Sequence, residues 1–303
     1  MRWLPILLVV ASVRVATADS AGDVTSLVKK NLDAMAAGDD GSFDKTVLKE
    51  AALFDGTGQS FPLPSCTTND CRSGAFVALY GTYATGTAKH KLGKLTVVVD
   101  DASGVAWFHG PFDATFKSDG SSNPCGGGPA TATTVTMRVS GVATNDKANG
   151  GWRIAAVMYT HPMADSTLID RATDGEKVMP SGAPAITGDK TVGAAVAAWF
   201  PKLSGARTAG ATVVASGSAP GELFDAAQVP KVAGAWDALG IMPAAIDVHV
   251  FGKGKLAFVH ADTAMPIKKT KFAAPMAMAA IAVPEGSGWK WVSLQFAPAL
   301  SAW

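Results

Sequence analysis

The chain has 303 residues, of which 48% are hydrophobic and 17% charged, with 26 basic and 25 acidic side chains. This composition excludes a disordered chain, because it supplies enough apolar surface to build folded cores. The near-neutral net charge of +1 lacks the basic excess that nucleic-acid binding needs, so no nucleic-acid partner is predicted. The length favours two domains.

Residues 1–18 are predicted to be a signal peptide. Arg2 precedes an apolar run over residues 4–13, and the small residues Ala16, Thr17 and Ala18 follow it. The apolar run is too short to cross a bilayer, and no membrane span is predicted elsewhere. We therefore expect an exported protein, periplasmic or secreted, after cleavage near Ala18.

Three cysteines, Cys66, Cys71 and Cys125, lie in polar, loop-like segments of the first half. An exported chain meets an oxidising compartment, so a disulfide is expected. The short spacing favours Cys66 with Cys71, and the alternative pairs Cys125 with one of them. No metal site is predicted, because loop cysteines without a nearby histidine match no zinc spacing. No cofactor is expected either, since phosphate-loop and dinucleotide motifs are missing from the sequence.

The first half begins with a helix that Asp23 is predicted to cap and Gly38 to end. Its apolar stripe consists of Val24, Leu27, Val28, Leu32 and Met35. A second short helix is predicted over residues 42–49. Strands are then predicted over residues 51–54, 92–99, 105–116, 131–143 and 152–160. Residues 165–187 have no clear period and are predicted to be a linker.

The second half begins with a helix that Asp189 is predicted to cap. Its apolar stripe consists of Val192, Val196, Trp199 and Leu203, and Pro201 should end it near Phe200. A later helix over residues 228–239 tolerates Pro230 only in its first turn. Strands are predicted over residues 211–216, 246–267 as a hairpin, 271–284 and 288–303.

The two halves carry matching motifs in the same order. Hairpin-like stretches at 95–116 and 246–267 each contain an apolar run ending in histidine, at His109 and His260, 151 positions apart (260 − 109). The motif at 74–79, Gly-Ala-Phe-Val-Ala-Leu, matches Gly-Ala-Trp-Asp-Ala-Leu at 234–239 with an offset of 160 (234 − 74). The Gly-Trp pair at 151 matches the one at 288 with an offset of 137 (288 − 151). Falling offsets indicate loop insertions in the first copy, near residues 82–91 and 117–130, and thus a duplicated unit.

Helices followed by antiparallel strands, the last of which opens on Gly-Trp at Gly151 and Gly288, resemble the nuclear transport factor 2-like superfamily and its SnoaL-like branch. The resemblance implies an α+β fold in which a curved antiparallel sheet wraps the N-terminal helices of each unit as a cone. It implies SnoaL-like domains at 22–164 and 188–303, the second more divergent. Because this family often dimerises through its sheets, an intrachain pseudo-dimer or a homodimer is expected.

The catalytic candidates are His109 with Asp113 and His260 with Asp262. Each aspartate keeps the strand parity of its histidine, so each pair could share one face. On a concave face, such a couple could act as acid or base near neutral pH, as the enzymes of this family do. The alternative is a hydrogen-bonded histidine at a strand end.

The candidate ligand pocket consists of Trp107, Trp152, Phe258 and Trp289, which could line an apolar cavity. Core packing is the alternative role for these aromatic side chains. Because the two copies share no matched catalytic set, the leading hypothesis is a non-catalytic protein that binds a small apolar ligand or a partner protein. The alternatives are an acid–base enzyme of the isomerase, lyase or hydrolase type, and a structural interaction module without a ligand cavity.

Overall fold

The computed structural model describes residues 19–55, 60–62, 89–118, 131–147, 150–160, 173, 177–200, 202–215, 223–224 and 226–299. The predicted signal peptide, the three cysteines with the predicted Cys66–Cys71 disulfide, and the motif at 74–79 lie outside the described residues.

The described helices and strands form two consecutive units in which the same kinds of element recur, and only these described elements are named below. The first unit consists of α1 (Ser20–Ala37), α2 (Asp40–Asp44), β1 (Val47–Asp55), β2 (Ser60–Pro62), β3 (Lys89–Leu92), β4 (Thr96–Asp100), β5 (Val105–Ser118), β6 (Thr131–Asp146) and β7 (Gly151–Thr160). The second consists of β8 (Ala185–Gly188), α3 (Lys190–Ala197), a 3-10 turn (Leu203–Ala206), β9 (Arg207–Ala215), β10 (Leu223–Phe224), α4 (Val229–Leu239), β11 (Met242–Phe251), β12 (Leu256–Pro266), β13 (Ala273–Glu285) and β14 (Gly288–Pro298).

Among the described residues, each unit has one seven-stranded sheet, and equivalent strands follow the same order, with β11 in the place of β3 and β4 and with β8 added at the edge of the second sheet. The first order is β2-β1-β7-β6-β5-β3, with β4 also paired to β5, and the second is β10-β9-β14-β13-β12-β11-β8. Pairing is antiparallel except for β1 with β7, β9 with β14, and β8 with β11. The predicted α+β fold class, with two helix-and-sheet units, is confirmed.

The registers of the two sheets repeat one another. In β1 and β7, a β-bulge lies just before the pair formed by Ala52 and Ala156. In β9 and β14, a β-bulge lies at the same place, just before the pair formed by Thr212 and Ser293. Ala52 is therefore equivalent to Thr212 and Ala156 to Ser293. Their offsets of 160 (212 − 52) and 137 (293 − 156) are those predicted from the sequence motifs.

The predicted second insertion is divided between two loops. The bulges at Val142 in β6 and Ile281 in β13 are equivalent, and their offset is 139 (281 − 142). Most of the extra residues therefore lie between β5 and β6, where the first copy was expected to be longer. The remaining two lie in the turn between β6 and β7 (139 − 137).

Helix α1 begins one turn earlier than predicted. Its N-cap is Asp19, whose carboxylate accepts a hydrogen bond from the Gly22 amide at 3.1 Å. Asp23 lies in the first turn, where the helix dipole also favours an acidic side chain, so the two positions look alike in sequence. The whole predicted stripe is buried, and Gly38 ends the helix with a left-handed φ of 67°.

The predicted helix over residues 42–49 is wrong beyond its first turn. Helix α2 ends at Asp44, and the Thr46 hydroxyl donates to the Phe43 carbonyl at 2.6 Å. Val47 then begins β1 opposite Ile154. The β-branched side chains of Thr46 and Val47 favour a strand, and pairing with β7 decides the outcome.

The second unit begins before the end of the predicted linker at 165–187. Residues Ala185–Gly188 form β8, which pairs in parallel with β11. Ile186 packs onto α3 where a Cβ on Gly193 would overlap it, so the missing side chain permits the close approach. The predicted cap at Asp189 is confirmed, since its carboxylate accepts from the amides of Thr191 and Val192 at 2.9 and 3.0 Å.

Three large hydrophobic cores hold the described part of the chain together, and a small fourth cluster surrounds Ala274. Helix α1 covers one face of the first sheet, and α3 and α4 cover one face of the second. The opposite faces of the two sheets pack on each other in a third core, formed by Ala52, Phe54, Val105, Val142, Ala156, Met158, Leu256, Phe258, Ala277, Ala279, Ile281, Ala297 and Ala299. Among the described helices, none is long and apolar enough to cross a membrane.

Candidate functional site

Strand β5 places His109 between the two sheets. Ala106 and Phe108 face the core beneath α1, whereas Val105 and Trp107 face the second unit. This alternation has the predicted parity, and it puts His109 on the face opposite the helices. The histidine therefore does not point into the helix-covered interior, where a family-type cavity was expected.

The imidazole of His109 is enclosed by hydroxyl groups of the second unit. Its Nδ1 lies 2.8 Å from the Ser293 hydroxyl oxygen and 3.3 Å from that of Thr212. The residue is 3% exposed, and burial lowers its pKa to about 4, so the ring is neutral at pH 7. Asp113 has a different partner, because its Oδ1 accepts from the Thr136 hydroxyl at 2.8 Å. The structure does not bring His109 and Asp113 together as a couple.

His260 occupies the equivalent position on β12 and has a different environment. Its ring stacks on Phe54 of β1, and its Nε2 is buried without a hydrogen-bond partner among the described residues. Burial lowers its pKa to about 4; Asp247 on the neighbouring strand opposes the shift, and His249 adds to it. Asp262, two positions further along, has a raised pKa because it is partly buried.

The register explains why the two histidines differ. Thr212 and Ser293, which contact His109, are equivalent to Ala52 and Ala156 of the first unit. Alanines have no hydroxyl to offer, so the symmetric position around His260 is apolar. One half of the interface is thus hydrogen-bonded and the other is not.

Gln295 forms a second polar link between the units. It is fully buried, accepts a hydrogen bond from the Ser140 hydroxyl and donates through Nε2 to the Thr160 hydroxyl at 2.8 Å. Sequence analysis missed Ser140, Thr160, Ser293 and Gln295. Polar residues that alternate with apolar ones on a strand usually indicate a solvent face, and here that face is covered by the other sheet.

The four predicted pocket residues lie in three different places. Trp107 and Phe258 pack between the sheets, whereas Trp152 belongs to the core of the first unit. Trp289 packs against the core of the second unit, where its carbonyl accepts from Trp199 Nε1 at 3.1 Å. The structure therefore does not bring the four together around one ligand.

An open groove of about 690 Å³ lies beside α1 and α2 in the first unit. Buried Leu27, Ala34 and Trp152 contribute apolar surface to it. Its charged lining residues have both signs and are Asp23, Lys30, Asp33, Asp39, Lys45 and Arg153. Of the predicted catalytic and pocket residues, all of which the structure describes, only Trp152 lines this groove.

A chain of buried polar groups lies under α1, next to the groove. The Tyr159 hydroxyl donates to Asn31 Oδ1, and Asn31 Nδ2 donates to the Thr46 hydroxyl at 2.9 Å. Burial raises the pKa of Tyr159 far above its usual value, so its hydroxyl stays protonated. These groups bind each other, and their role is to satisfy polar atoms inside the core.

No family model and no curated protein matches the chain. Solved structures do resemble it over about half its length. One is a nuclear transport factor 2-like superfamily protein from Salmonella enterica, with 16% identity over 49% of this chain and 94% of that chain, and a TM-score of 0.38. Another is a ketosteroid isomerase-like protein from Erwinia carotovora atroseptica, with 11% identity, 48% and 97% coverage, and a TM-score of 0.34.

A third is the Mtr2–Mex67 M domain complex of Candida albicans, with 12% identity over 47% of this chain and 96% of that chain, and a TM-score of 0.35. The first name belongs to the superfamily that the sequence motifs resemble.

Proposed function

We propose that the protein is an exported, non-catalytic binding protein whose recognition site is the groove beside α1 and α2. The carrying observation is the place of His109 and His260, which are buried between the sheets, uncharged at pH 7 and 3% and 4% exposed. A general base must reach the proton that it abstracts, and neither ring faces the groove. The signal-like N-terminus supports export.

The groove favours a small molecule with an apolar body and a polar end. Leu27, Ala34 and Trp152 offer apolar contact at its base. Lys30 and Asp23 are exposed along α1 and supply charges of opposite sign at the rim. Apolar contact together with charged groups of both signs fits a small amphipathic molecule whose polar groups fix its orientation.

The test is native mass spectrometry of the mature protein, purified from its own exported fraction, before and after mild denaturation. We expect the mass to fall by a small-molecule increment on denaturation. Ala37→Trp should obstruct part of the groove and lower ligand occupancy at least about tenfold, since the large side chain takes up volume that the ligand needs. Lys49→Glu, an exposed change on β1 outside the groove, should leave occupancy unchanged.

Two other outcomes would contradict the proposal. An unchanged bare mass in both states would favour a structural module without a ligand site. If the retained molecule were turned over and His109→Leu abolished that turnover, the acid–base alternative would be correct. A retained protein partner instead of a small molecule would keep the binding role and change the ligand class.

A further inference from the structure

We propose that the turn between β12 and β13 docks on an anionic lipid membrane surface through Lys268, Lys269 and Lys271, named here the basic tip. The turn spans residues 267–272, between the end of β12 at Pro266 and the start of β13 at Ala273. This inference is independent of the groove and of its ligand.

The turn is a closed structure that presents its lysines outward. The Ile267 amide donates to the Phe272 carbonyl at 3.0 Å, closing the turn. The Thr270 hydroxyl donates to the Ile267 carbonyl at 3.0 Å and accepts from the Phe272 amide at 3.1 Å. Lys269 has a left-handed φ of 64°, which the turn holds in place. The position of the charges is therefore set by the backbone.

The charges of the basic tip are unneutralised within the described part of the chain. All three lysines are exposed, and none forms an ion pair with a described residue. Lys271 Nζ lies 5.3 Å from the centre of the Phe272 ring, which holds this ammonium beside an apolar surface. In a chain with a net charge of +1, three free lysines within four residues form a local positive patch.

An exposed apolar side chain lies next to the basic tip. Val178 bridges Phe272 in antiparallel fashion, and the Ala273 amide donates to the Lys177 carbonyl at 2.9 Å. Val178 is 60% exposed, the largest fraction among the exposed large hydrophobic residues of the described chain. Asp174 and Glu176, which precede it in sequence, lie outside the described residues. At a membrane surface, lysines can bind the headgroup phosphates while a neighbouring apolar side chain enters the boundary of the acyl chains. The basic tip and Val178 together provide both kinds of contact.

The size of the turn favours a lipid surface over an acidic protein. A stable protein interface buries about 800 Å² on each partner, more than a single tight turn presents. Attraction to anionic headgroups instead accumulates lysine by lysine, at about fivefold in affinity for each. Three lysines therefore give a preference of about 100-fold for anionic over neutral lipid, a weak and peripheral attachment.

The test is sedimentation of the mature chain with vesicles of phosphatidylcholine, with and without about one quarter phosphatidylserine, at about 0.1 M salt. We expect binding only to the phosphatidylserine vesicles, with release at about 1 M salt. Replacing the basic tip by Lys268→Gln, Lys269→Gln and Lys271→Gln should weaken binding about 100-fold. Val178→Ser should weaken binding severalfold without changing its salt dependence.

The matched control is a second set of three exposed lysines in the first unit. Lys89→Gln, Lys91→Gln and Lys94→Gln make the same change in net charge, and binding should stay within about twofold of the unaltered chain. If the triple basic-tip variant does not fold, Lys268→Gln with Lys271→Gln leaves the strained Lys269 intact and should weaken binding about 25-fold.

Three results would overturn the proposal. They are equal binding to both kinds of vesicle, an equal loss of affinity in the Lys89 control set, and binding to immobilised polyglutamate without binding to vesicles. The last result would identify an acidic protein as the partner of the basic tip.

Discussion

The imidazole ring of His260 stacks on the ring of Phe54 across the boundary between the two units, with 4.2 Å between the centroids and 10° between the planes. Its Nε2 has no hydrogen-bond partner in the part of the chain that the structure describes. The equivalent His109 lies against the hydroxyls of Ser293 and Thr212. The same interface thus contains one buried histidine with hydroxyl partners, His109, and one with a ring nitrogen unpartnered among the described residues, His260. Substitutions at the two positions can compare these environments directly.

His260→Leu should raise the free energy of unfolding by about 1–2 kcal/mol. Leucine retains most of the buried volume beside Phe54 and removes a polar atom that lacks a partner. Urea denaturation followed by fluorescence measures the change. His109→Leu is the matched variant and should lower stability by about 1–3 kcal/mol, because the hydroxyls of Ser293 and Thr212 lose their partner. Equal effects at both positions would show that the two environments do not differ.

Stability should fall as pH is lowered from about 6.5 to about 4. The folded pKa values of His109 and His260 are both about 4, below the ordinary value of 6.5 in the unfolded chain. Between these pH values the two histidines bind protons in the unfolded chain but not in the folded chain. Their contribution to the free energy of unfolding is therefore fully present above pH 6.5 and is lost as the pH falls towards 4. The loss is on the order of 3 kcal/mol for each histidine.

The measurement is the free energy of unfolding in urea at several pH values. His260→Leu should remove about half of the pH-dependent loss assigned to the two interface histidines. His90 provides the comparison outside the interface, since its pKa is also lowered by burial while its Nδ1 lies 2.9 Å from the Leu32 carbonyl oxygen. If His90→Gln removed the pH dependence and His260→Leu did not, the assignment to the interface would be wrong.

Tyr159→Phe should lower the free energy of unfolding by about 1–3 kcal/mol. The substitution removes the donor to fully buried Asn31 and leaves that amide oxygen without a partner. At the equivalent position, 137 residues later (296 − 159), the second unit has Phe296, whose ring meets Trp236 edge-on at 4.5 Å. Adding Asn31→Leu to Tyr159→Phe should recover part of the loss in a double-mutant cycle, and strict additivity would contradict the proposed link.

Local patterns predicted much of this fold from the sequence. The stripe of α1, the cap at Asp189 and the two hairpins that contain His109 and His260 depend on neighbouring residues, and the structure has them. The parity of β5 was also predicted. The sequence did not predict which face of β5 meets the helices, because both faces are buried, one by α1 and the other by the second sheet.

The candidate site was less predictable for the same physical reason. The groove joins Lys30 of α1 to Trp152 of β7, which only tertiary folding brings together. The hydroxyl partners of His109 lie in the other unit, and no periodicity within one strand reports them. Aromatic residues such as Trp107 and Trp289 were grouped by type, whereas the fold distributes them among separate cores.

Gly188→Ala should destabilise the second unit far more than Gly182→Ala. Both glycines have left-handed backbones, with φ of 70° and 88°, so each substitution costs about 1–2 kcal/mol in backbone strain. A Cβ on Gly188 would also overlap the Val248 carbonyl, whereas nothing lies within 4 Å of one on Gly182. The overlap adds about 1–3 kcal/mol and separates β8 from β11, so its amides should exchange faster with solvent. Equal losses in urea denaturation would mean that β8 adjusts without breaking its pairing, and that this strand contributes little to the stability of the second sheet.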